Sequence, residues 1–250
     1  MKTRPSFWLG GLIVIGLVLI AWGGSQVLAS SAEVPLQAEF GFGEPAAVAT
    51  CSELILNGGF EWDGAWELPV TAYSAAYSTQ RAIAGSRSLR TGIEGGGDVF
   101  SYSAANQLFT IPSSAPSVSL DFWWYPLSEE GSVASAAAVA PLDASQLRQL
   151  VAGTLPRGVL ASDQQYVLLL NSAGDVINQV LWTRSDARSW QHMSVDVTLY
   201  RGQTMRLAFG TFNDGDGQRT AMYVDEVSVD TSAAPPIFTA TPTPTQTQHG

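Results

Sequence analysis

The sequence predicts an all-β fold for residues 52–231: a two-sheet antiparallel β-sandwich (jelly roll) with one short helical insertion. Short apolar runs rich in β-branched and aromatic residues recur there, and clusters of Gly, Pro, Asn, Asp and Ser separate them. About ten such runs in one domain are typical of a sandwich or jelly roll. The runs are Glu53–Asn57, Glu67–Tyr77, Ser88–Ile93, Val99–Ile111, Ser117–Leu127, Gln165–Leu170, Val176–Thr183, Trp190–Leu199, Thr204–Phe212 and Ala221–Val229.

Three of these runs alternate well enough to assign their faces, because successive side chains of a strand point to opposite sides. One side of each run is apolar and is predicted to form the core between the sheets. The opposite side is predicted to face water. The predicted core residues are Val118, Leu120, Phe122, Trp124, Met193, Val195, Val197, Leu199, Met205, Leu207 and Phe209; the predicted water-facing residues are Ser119, Asp121, Trp123, Tyr125, Trp190, His192, Ser194, Asp196, Arg206, Ala208 and Gly210.

An alanine-rich insertion at residues 128–163 interrupts the β pattern. Within it, Asp143 and Gln146 have the spacing of a capping box, an apolar stripe follows, and Gly153 can end the helix. The sequence therefore predicts a short helix between Asp143 and Gly153. An insertion of this length is typical of a functional lid or of a cover for a sheet edge, and we expect the edge cover.

Residues 1–29 have the pattern of an export signal. Lys2 and Arg4 precede an uncharged apolar run, and the small-residue exit at Ala29 is typical of signal-peptidase cleavage. The alternative is an uncleaved N-terminal membrane anchor, and both alternatives place the remaining chain outside the cytoplasmic membrane. Residues 30–51 are predicted to be a spacer, and the Thr/Pro-rich residues 232–250 a disordered tail.

Composition and charge exclude several classes of function. With 46% hydrophobic and 14% charged residues among 250, the chain can bury a sizeable core. Residues 1–29 carry two basic side chains and no acid, so the rest has ten Arg against 22 acidic residues and a net charge of −12. Such a surface is unsuited to a nucleic-acid partner. A single cysteine excludes a disulfide within the chain, and two histidines exclude a histidine-rich metal site.

The sequence gives no support for catalysis. His192 is the one histidine outside the predicted tail, and no nucleophile motif surrounds it, so we interpret it as a half-exposed strand residue. The adjacent Glu129 and Glu130 are typical of a solvated loop rather than of two carboxylates facing one sugar. The segment 213–217, Asn-Asp-Gly-Asp-Gly, is interpreted as a hairpin turn, with a calcium loop as the alternative.

Four motifs in order resemble the extracellular carbohydrate-binding modules of the galactose-binding-like jelly-roll superfamily, of the cellulose- or xylan-binding type. They cover roughly residues 52–230 and consist of an Asn-Gly-Gly-Phe-Glu opening, a Gly-Ser-Arg-Ser-Leu strand, a Trp-initiated strand pair and a closing strand. Their positions are Leu56–Glu61 followed by Trp66, Gly85–Leu89, Trp190–Leu207 and Tyr223–Val229. The resemblance implies a β-sandwich, often with one structural Ca²⁺ that ties the first strand to the last.

The same resemblance implies metal ligands at Glu61 and Asp225, with Asn57 as a third. The residues of the last strand give independent support. Met222 and Val224 are in phase with each other, while Val227 and Val229 have the opposite parity. A β-bulge near Asp225 reconciles the two and can aim the carboxylate inward, where a cation or an arginine should accompany it.

The predicted ligand-binding residues are Asp121, Trp123, Tyr125 and Trp190, since sugars stack on exposed aromatic rings while their hydroxyls bond to polar side chains. The alternative is that Trp123 and Trp124 belong to a core strand covered by the insertion. The function expected is an exported, non-catalytic carbohydrate-binding-type module with a polysaccharide or glycan as partner. The alternatives are a structural or adhesive surface domain and a glycosidase-like hydrolase.

Overall fold

The computed structural model describes residues 52–132 and 142–231, which form nine strands, one helix and one 3-10 turn. The strands are β1 (Ala76–Ser78), β2 (Ser88–Gly92), β3 (Ser101–Thr110), β4 (Ser119–Ser128), β5 (Gln164–Asn171), β6 (Val176–Thr183), β7 (Gln191–Asp196), β8 (Thr204–Asn213) and β9 (Thr220–Asp230); the helix is α1 (Ala144–Val151) and the turn is Thr198–Tyr200.

The strands form two antiparallel sheets, which confirms the predicted sandwich. The five-stranded sheet has the order β1-β2-β9-β4-β7, and the four-stranded sheet has the order β3-β8-β5-β6. Within the described residues no helix is long and apolar enough to cross a membrane. The predicted signal or anchor at 1–29, the spacer at 30–51 and the tail at 232–250 lie outside the described residues. Residues 133–141 of the insertion also lie outside them.

The main core lies between the two sheets, where alternation placed it. All four predicted core residues of β4 and its entry are buried, as are the three of β8, and they belong to one apolar cluster. Met193 and Val195 of β7 are partly buried against this cluster, and Val197 is fully buried. The prediction for Leu199 is wrong, because Thr198 N–H donates to Asp196 Oδ1 (2.8 Å) and β7 ends in the 3-10 turn, where Leu199 is 73% exposed.

Two predicted strands are absent from their expected ranges. Glu53 makes a single bridge to Asp230, and Ile55 N–H then donates to the Glu53 carboxylate (2.6 Å) instead of to a strand. Glu67 makes a single bridge to Asn106, and Pro69 follows two residues later without an N–H to donate. Side-chain hydrogen bonds and a proline therefore stand where the apolar pattern predicted strand pairing. Of the second range only Ala76 and Tyr77 belong to a strand, β1.

The predicted helix is confirmed as α1. The Asp143 carboxylate accepts from Gln146 N–H (2.8 Å), and the Gln146 side chain accepts from Asp143 N–H (2.8 Å), so both halves of the capping box form. Gly153, in the left-handed conformation at φ 68°, follows the end of the helix.

The insertion covers a sheet face rather than the expected sheet edge. Leu147 and Leu150 of α1 belong to a second apolar cluster with residues from all four strands of the four-stranded sheet. Ala208 and Gly210 of β8, predicted to face water, are therefore buried. The described members of this cluster are Tyr102, Leu142, Leu147, Leu150, Leu155, Leu160, Tyr166, Leu168, Leu170, Trp182, Ala208 and Phe212.

Replacing Leu150, which is 1% exposed, tests whether the insertion is part of the folded unit. Leu150→Ala should lower the free energy of unfolding by about 2–5 kcal/mol in urea titrations, since it removes buried apolar volume. Ser145→Ala, at an exposed position of the same helix, should change it by less than about 0.5 kcal/mol. Equal small effects from both variants would mean that the insertion contributes no packing.

Candidate functional site

The candidate site is the outer face of the five-stranded sheet, which is the face turned away from the core. Strand register places Trp123 of β4 between His192 of β7 and Asp225 of β9. Two residues further along β4, Tyr125 is opposite Tyr223 of β9. Because side chains of one face repeat every second residue, these groups lie on one face of the sheet, where Trp123, Tyr125 and His192 reach solvent and Tyr223 and Asp225 are buried. Helix α1 and the buried leucines Leu142, Leu155 and Leu160 of the insertion pack on the other sheet.

Asp121, Trp123 and His192 form the first group on this face. The Asp121 carboxylate lies 3.5 Å from His192 Nε2 and accepts from Ser119 Oγ (2.7 Å). The indole of Trp123 packs against the His192 ring with centroids 5.0 Å apart. The side chains of Asp121 and His192 keep 30% and 45% of their surface exposed, so the carboxylate and the imidazole are both accessible to solvent.

Tyr125 and Trp190 form the second group, and an arginine covers part of it. Their rings meet edge to face with centroids 5.6 Å apart. The Arg81 guanidinium lies 4.9 Å from the Tyr125 ring centroid and 5.1 Å from that of Tyr223, a cation–π arrangement on both. Arg81 also forms a salt bridge with Glu94, so its charge is balanced. One side of Tyr125 is therefore occupied by Arg81.

Tyr223 is fully buried, and its hydroxyl contacts the side-chain oxygens of Gln80 and Glu94. Burial is the main cause that raises the pKa of Tyr223 above its usual value, and the Glu94 carboxylate adds to it. The phenol therefore stays protonated and acts as a hydrogen-bond donor. A cavity of about 460 Å³, lined among others by Tyr73, Arg90 and Glu94, adjoins this group.

The four predicted ligand-binding residues thus occupy one face in two groups: Asp121 with Trp123, and Tyr125 with Trp190. Sequence reasoning missed Arg81, Glu94 and Tyr223. Tyr223 shares the parity that places Asp225 outward, so alternation along β9 could have found it. Arg81 and Glu94 lie in loops, where no periodicity indicates which face they reach.

The bulge predicted near Asp225 is present. Along the β4–β9 pair the register shifts between Asp121 and Trp123, and Glu226 has a left-handed φ of 49°. Val224 and Val227 therefore both reach the core. The expected inward aim of Asp225 is wrong, since Asp225 is opposite Trp123 on the outer face.

Backbone N–H groups accompany the buried Asp225, and among the described residues no arginine forms a salt bridge with it. Its Oδ2 accepts from Ile83 (2.9 Å) and Ala84 (3.4 Å), and its Oδ1 accepts from Glu226 (2.8 Å). Desolvation raises the pKa of Asp225 to about 6, and the N–H donors offset only part of that effect. The carboxylate holds the loop that contains Ile83 and Ala84 against the sheet.

Glu61 anchors the next part of the same loop. Its carboxylate accepts from Ser86 N–H (2.8 Å), Ser86 Oγ (2.9 Å) and Arg87 N–H (3.0 Å), and these bonds lower its pKa. Gly85 has a left-handed φ of 59°, and a Cβ there would lie 2.1 Å from Glu61 Oε1, so a larger residue would be strained and would displace this carboxylate. Asn57 donates from Nδ2 to the carbonyls of Trp62 (2.7 Å) and Gly64 (3.1 Å). The three predicted calcium ligands are thus hydrogen-bonded within the protein, and the calcium site stays a prediction.

Carboxylates also gather at the end of the sandwich where β8 passes to β9. Ligand-type oxygens lie within 4.8 Å of one another in the set Asp98, Asp214 and Asp216 and in the set Glu130, Asp163 and Asp214. The segment 213–217 is not the predicted hairpin turn, because β8 and β9 belong to different sheets. Asp163 is fully buried, and desolvation raises its pKa to about 7 despite bonds from Asp214 N–H and Asn213 Nδ2.

No family model matches the chain, and no curated protein matches its sequence. Solved structures match its fold. TmCBM61, solved with β-1,4-galactotriose, is 11% identical, with 71% of this chain and 98% of that chain covered at a TM-score of 0.44. The K1 adhesin domain of Lys-gingipain from Porphyromonas gingivalis is 15% identical, with 72% and 97% covered at 0.40. The enzymatically active domain of tailspike protein 4 from bacteriophage CBA120 is 10% identical, with 71% and 21% covered at 0.42.

Carbohydrate-binding modules of the β-sandwich class are thus among the structures to which this chain is similar, as the sequence motifs led us to expect. At these identities the likeness concerns the fold.

The two buried aspartates predict a stability that falls as the pH rises. Their folded-state pKa values, about 7 for Asp163 and about 6 for Asp225, exceed the ordinary 3.8, so the folded protein retains protons that the unfolded chain releases. Their stabilising contribution is complete below about pH 4 and is lost between pH 4 and 7, by about 4 kcal/mol for Asp163. Urea titrations in EDTA should show this decline, and Asp163→Asn should flatten it. An unchanged slope in the variant would contradict the assignment.

Proposed function

We propose that the protein is an exported, non-catalytic carbohydrate-binding-type module that holds a neutral glycan on the outer face of its five-stranded sheet. The observation that carries the proposal is the row Asp121, Trp123 and Tyr125 on β4, flanked by His192 and Trp190. Half-exposed rings beside a carboxylate and an imidazole offer both an apolar contact for the C–H face of a sugar and hydrogen bonds for its hydroxyls.

Trp123 is the residue of this site that we expect to contribute most to binding. Its ring is backed on one side by His192, and Asp121 lies two residues away on the same face, hydrogen-bonded to Ser119. Backing by neighbouring side chains restricts the ring in advance, which reduces the conformational entropy lost on binding. The excess of acidic residues favours a neutral glycan over an acidic one, since like charges repel.

Binding without hydrolysis is favoured by the surroundings of Asp121. Its cross-strand neighbours on the outer face are Ser194 and Ser228, neither of which is an acid. Glu53 reaches this area through Ser228, but its oxygens already accept from Ser228 Oγ, Ile55 N–H and Val229 N–H. Both oxygens of the Glu53 carboxylate are therefore engaged by donors within the protein.

Substitution of Trp123 tests the proposal on glycan arrays and in polysaccharide pull-downs. Trp123→Ala should weaken binding at least tenfold, because it removes the ring on which the sugar stacks, while the fold is retained. The matched control is Trp62→Ala, which removes a 52% exposed tryptophan outside the candidate site and should leave binding unchanged.

Each other outcome contradicts a defined part of the proposal. Binding to no glycan would favour the structural or adhesive surface domain. Release of reducing sugar that stops in Asp121→Asn and Glu53→Gln would favour the hydrolase. Equal losses from Trp123→Ala and Trp62→Ala would remove the site from the outer face.

We also propose one structural Ca²⁺ held by Glu61 and Asp225 with Asn57. An ion there would offset the desolvation that raises the Asp225 pKa. EDTA should then lower the melting temperature and added calcium should restore it, and Glu61→Gln should abolish this response. An unaltered melting temperature in EDTA would refute a bound calcium. A response lost in Asp214→Asn but kept in Glu61→Gln would place the ion in the other carboxylate group.

A further inference from the structure

We propose a second binding site, for a neutral sugar residue, in a groove between helix α1 and the outer face of the four-stranded sheet. The groove has a volume of about 480 Å³, within the range of about 300–1,000 Å³ that is usual for small-molecule sites. It lies on the opposite sheet from Trp123 and does not depend on the function proposed above.

The side chain of Asn106 carries this inference. Asn106 lines the groove and is 3% exposed, yet its Oδ1 has no hydrogen-bond partner in the protein. Its main-chain groups are both hydrogen-bonded to Glu67. The Asn106 N–H donates to the Glu67 carbonyl (2.9 Å), and the Asn106 carbonyl accepts from the Glu67 N–H (2.8 Å). A buried amide oxygen without a partner costs about 1–3 kcal/mol, so such groups in native proteins call for an explanation.

The position of Asn106 on β3 aims its side chain into the groove. Its partner on β8 is Ala208, which belongs to the apolar cluster on the outer face of this sheet. Cross-strand partners share a face, so the amide also points outward, toward the insertion.

The charges that line the groove are paired, which selects a neutral ligand. Arg206 Nη1 donates to Glu67 Oε2 (2.6 Å), and Arg148 forms a salt bridge with Asp175. A guanidinium carries five N–H donors, so Arg206 retains donors for a ligand after its bond to Glu67. Hydroxyl groups both donate and accept, as the Asn106 amide does, and they match this set better than an ion would.

Apolar side chains form the remaining wall. Pro69, Val151 and Leu170 line the groove and can receive the C–H face of a sugar ring. An adjoining cavity of about 340 Å³ shares Pro69, Val151 and Ala152 as lining and adds Phe100 and Tyr102. A ligand longer than one sugar residue therefore has a second, more apolar space beside the first.

Nuclear magnetic resonance titration of the full chain tests the site, with D-galactose, D-glucose, D-mannose and D-xylose as separate probes. The side-chain NH₂ resonances of Asn106 are identified by their absence in Asn106→Leu. At least one sugar should shift them saturably together with the backbone amides of Ala152 and Gly174. Asn106→Leu should raise the dissociation constant measured from these backbone shifts at least tenfold. It should not lower the melting temperature, since it removes a buried amide that has an unpaired oxygen.

A second variant keeps the test independent of position 106. Ala152→Trp places a bulky ring at an exposed residue of the groove wall and should weaken binding at least tenfold, whereas Thr154→Trp, exposed outside the groove, should not. Trp123→Ala should leave the groove shifts unchanged. No saturable shift with any sugar, equal shifts with glycerol, or binding that survives both Asn106→Leu and Ala152→Trp would overturn the proposal.

Discussion

The four-stranded sheet is apolar on both faces, and this constraint organises the molecule. Leu207 and Phe209 of β8 face the partner sheet, while Ala208 and Phe212 face the other way. Apolar surface left in water costs roughly 25 cal/mol per Å². The insertion with α1 removes the second face from water, so the sandwich is covered on one side by an additional layer. The outer face of the five-stranded sheet is left to present its aromatic and polar groups.

A single irregularity of β9 connects the core to that outer face. The bulge at Glu226 lets Val224 and Val227 both enter the core, and it leaves Asp225 on the outside. Asp225 and Glu61 then hold the loop 83–87 through backbone N–H groups, and Arg81, just before this loop, lies over two tyrosine rings. Packing in the interior thereby decides where a guanidinium meets the candidate binding surface.

Short apolar runs between clusters of turn residues predicted the strands β2 to β9, and alternation predicted the core side of β4 and β8, because these features are local. The pattern of alternation has limits. It failed at Leu199, where an aspartate side chain takes the next N–H and the strand becomes a 3-10 turn. It also failed at Ala208 and Gly210, because a period of two separates the faces of a strand without saying what covers each. The candidate residues of β4 and β7 share one surface as predicted, whereas the loop residues beside them had no periodic signal.

The order of residues alone established the sandwich class, the capped helix in the insertion and the side of β4 that carries Trp123 and Tyr125, since each depends on neighbours a few positions apart. Contacts between distant segments decided the rest: that the insertion lies on a face, that backbone N–H groups of a distant loop bond to Asp225, and that the amide of Asn106 is buried beside a groove. Those outcomes depend on which segments meet in space, and spacing along the chain does not encode that.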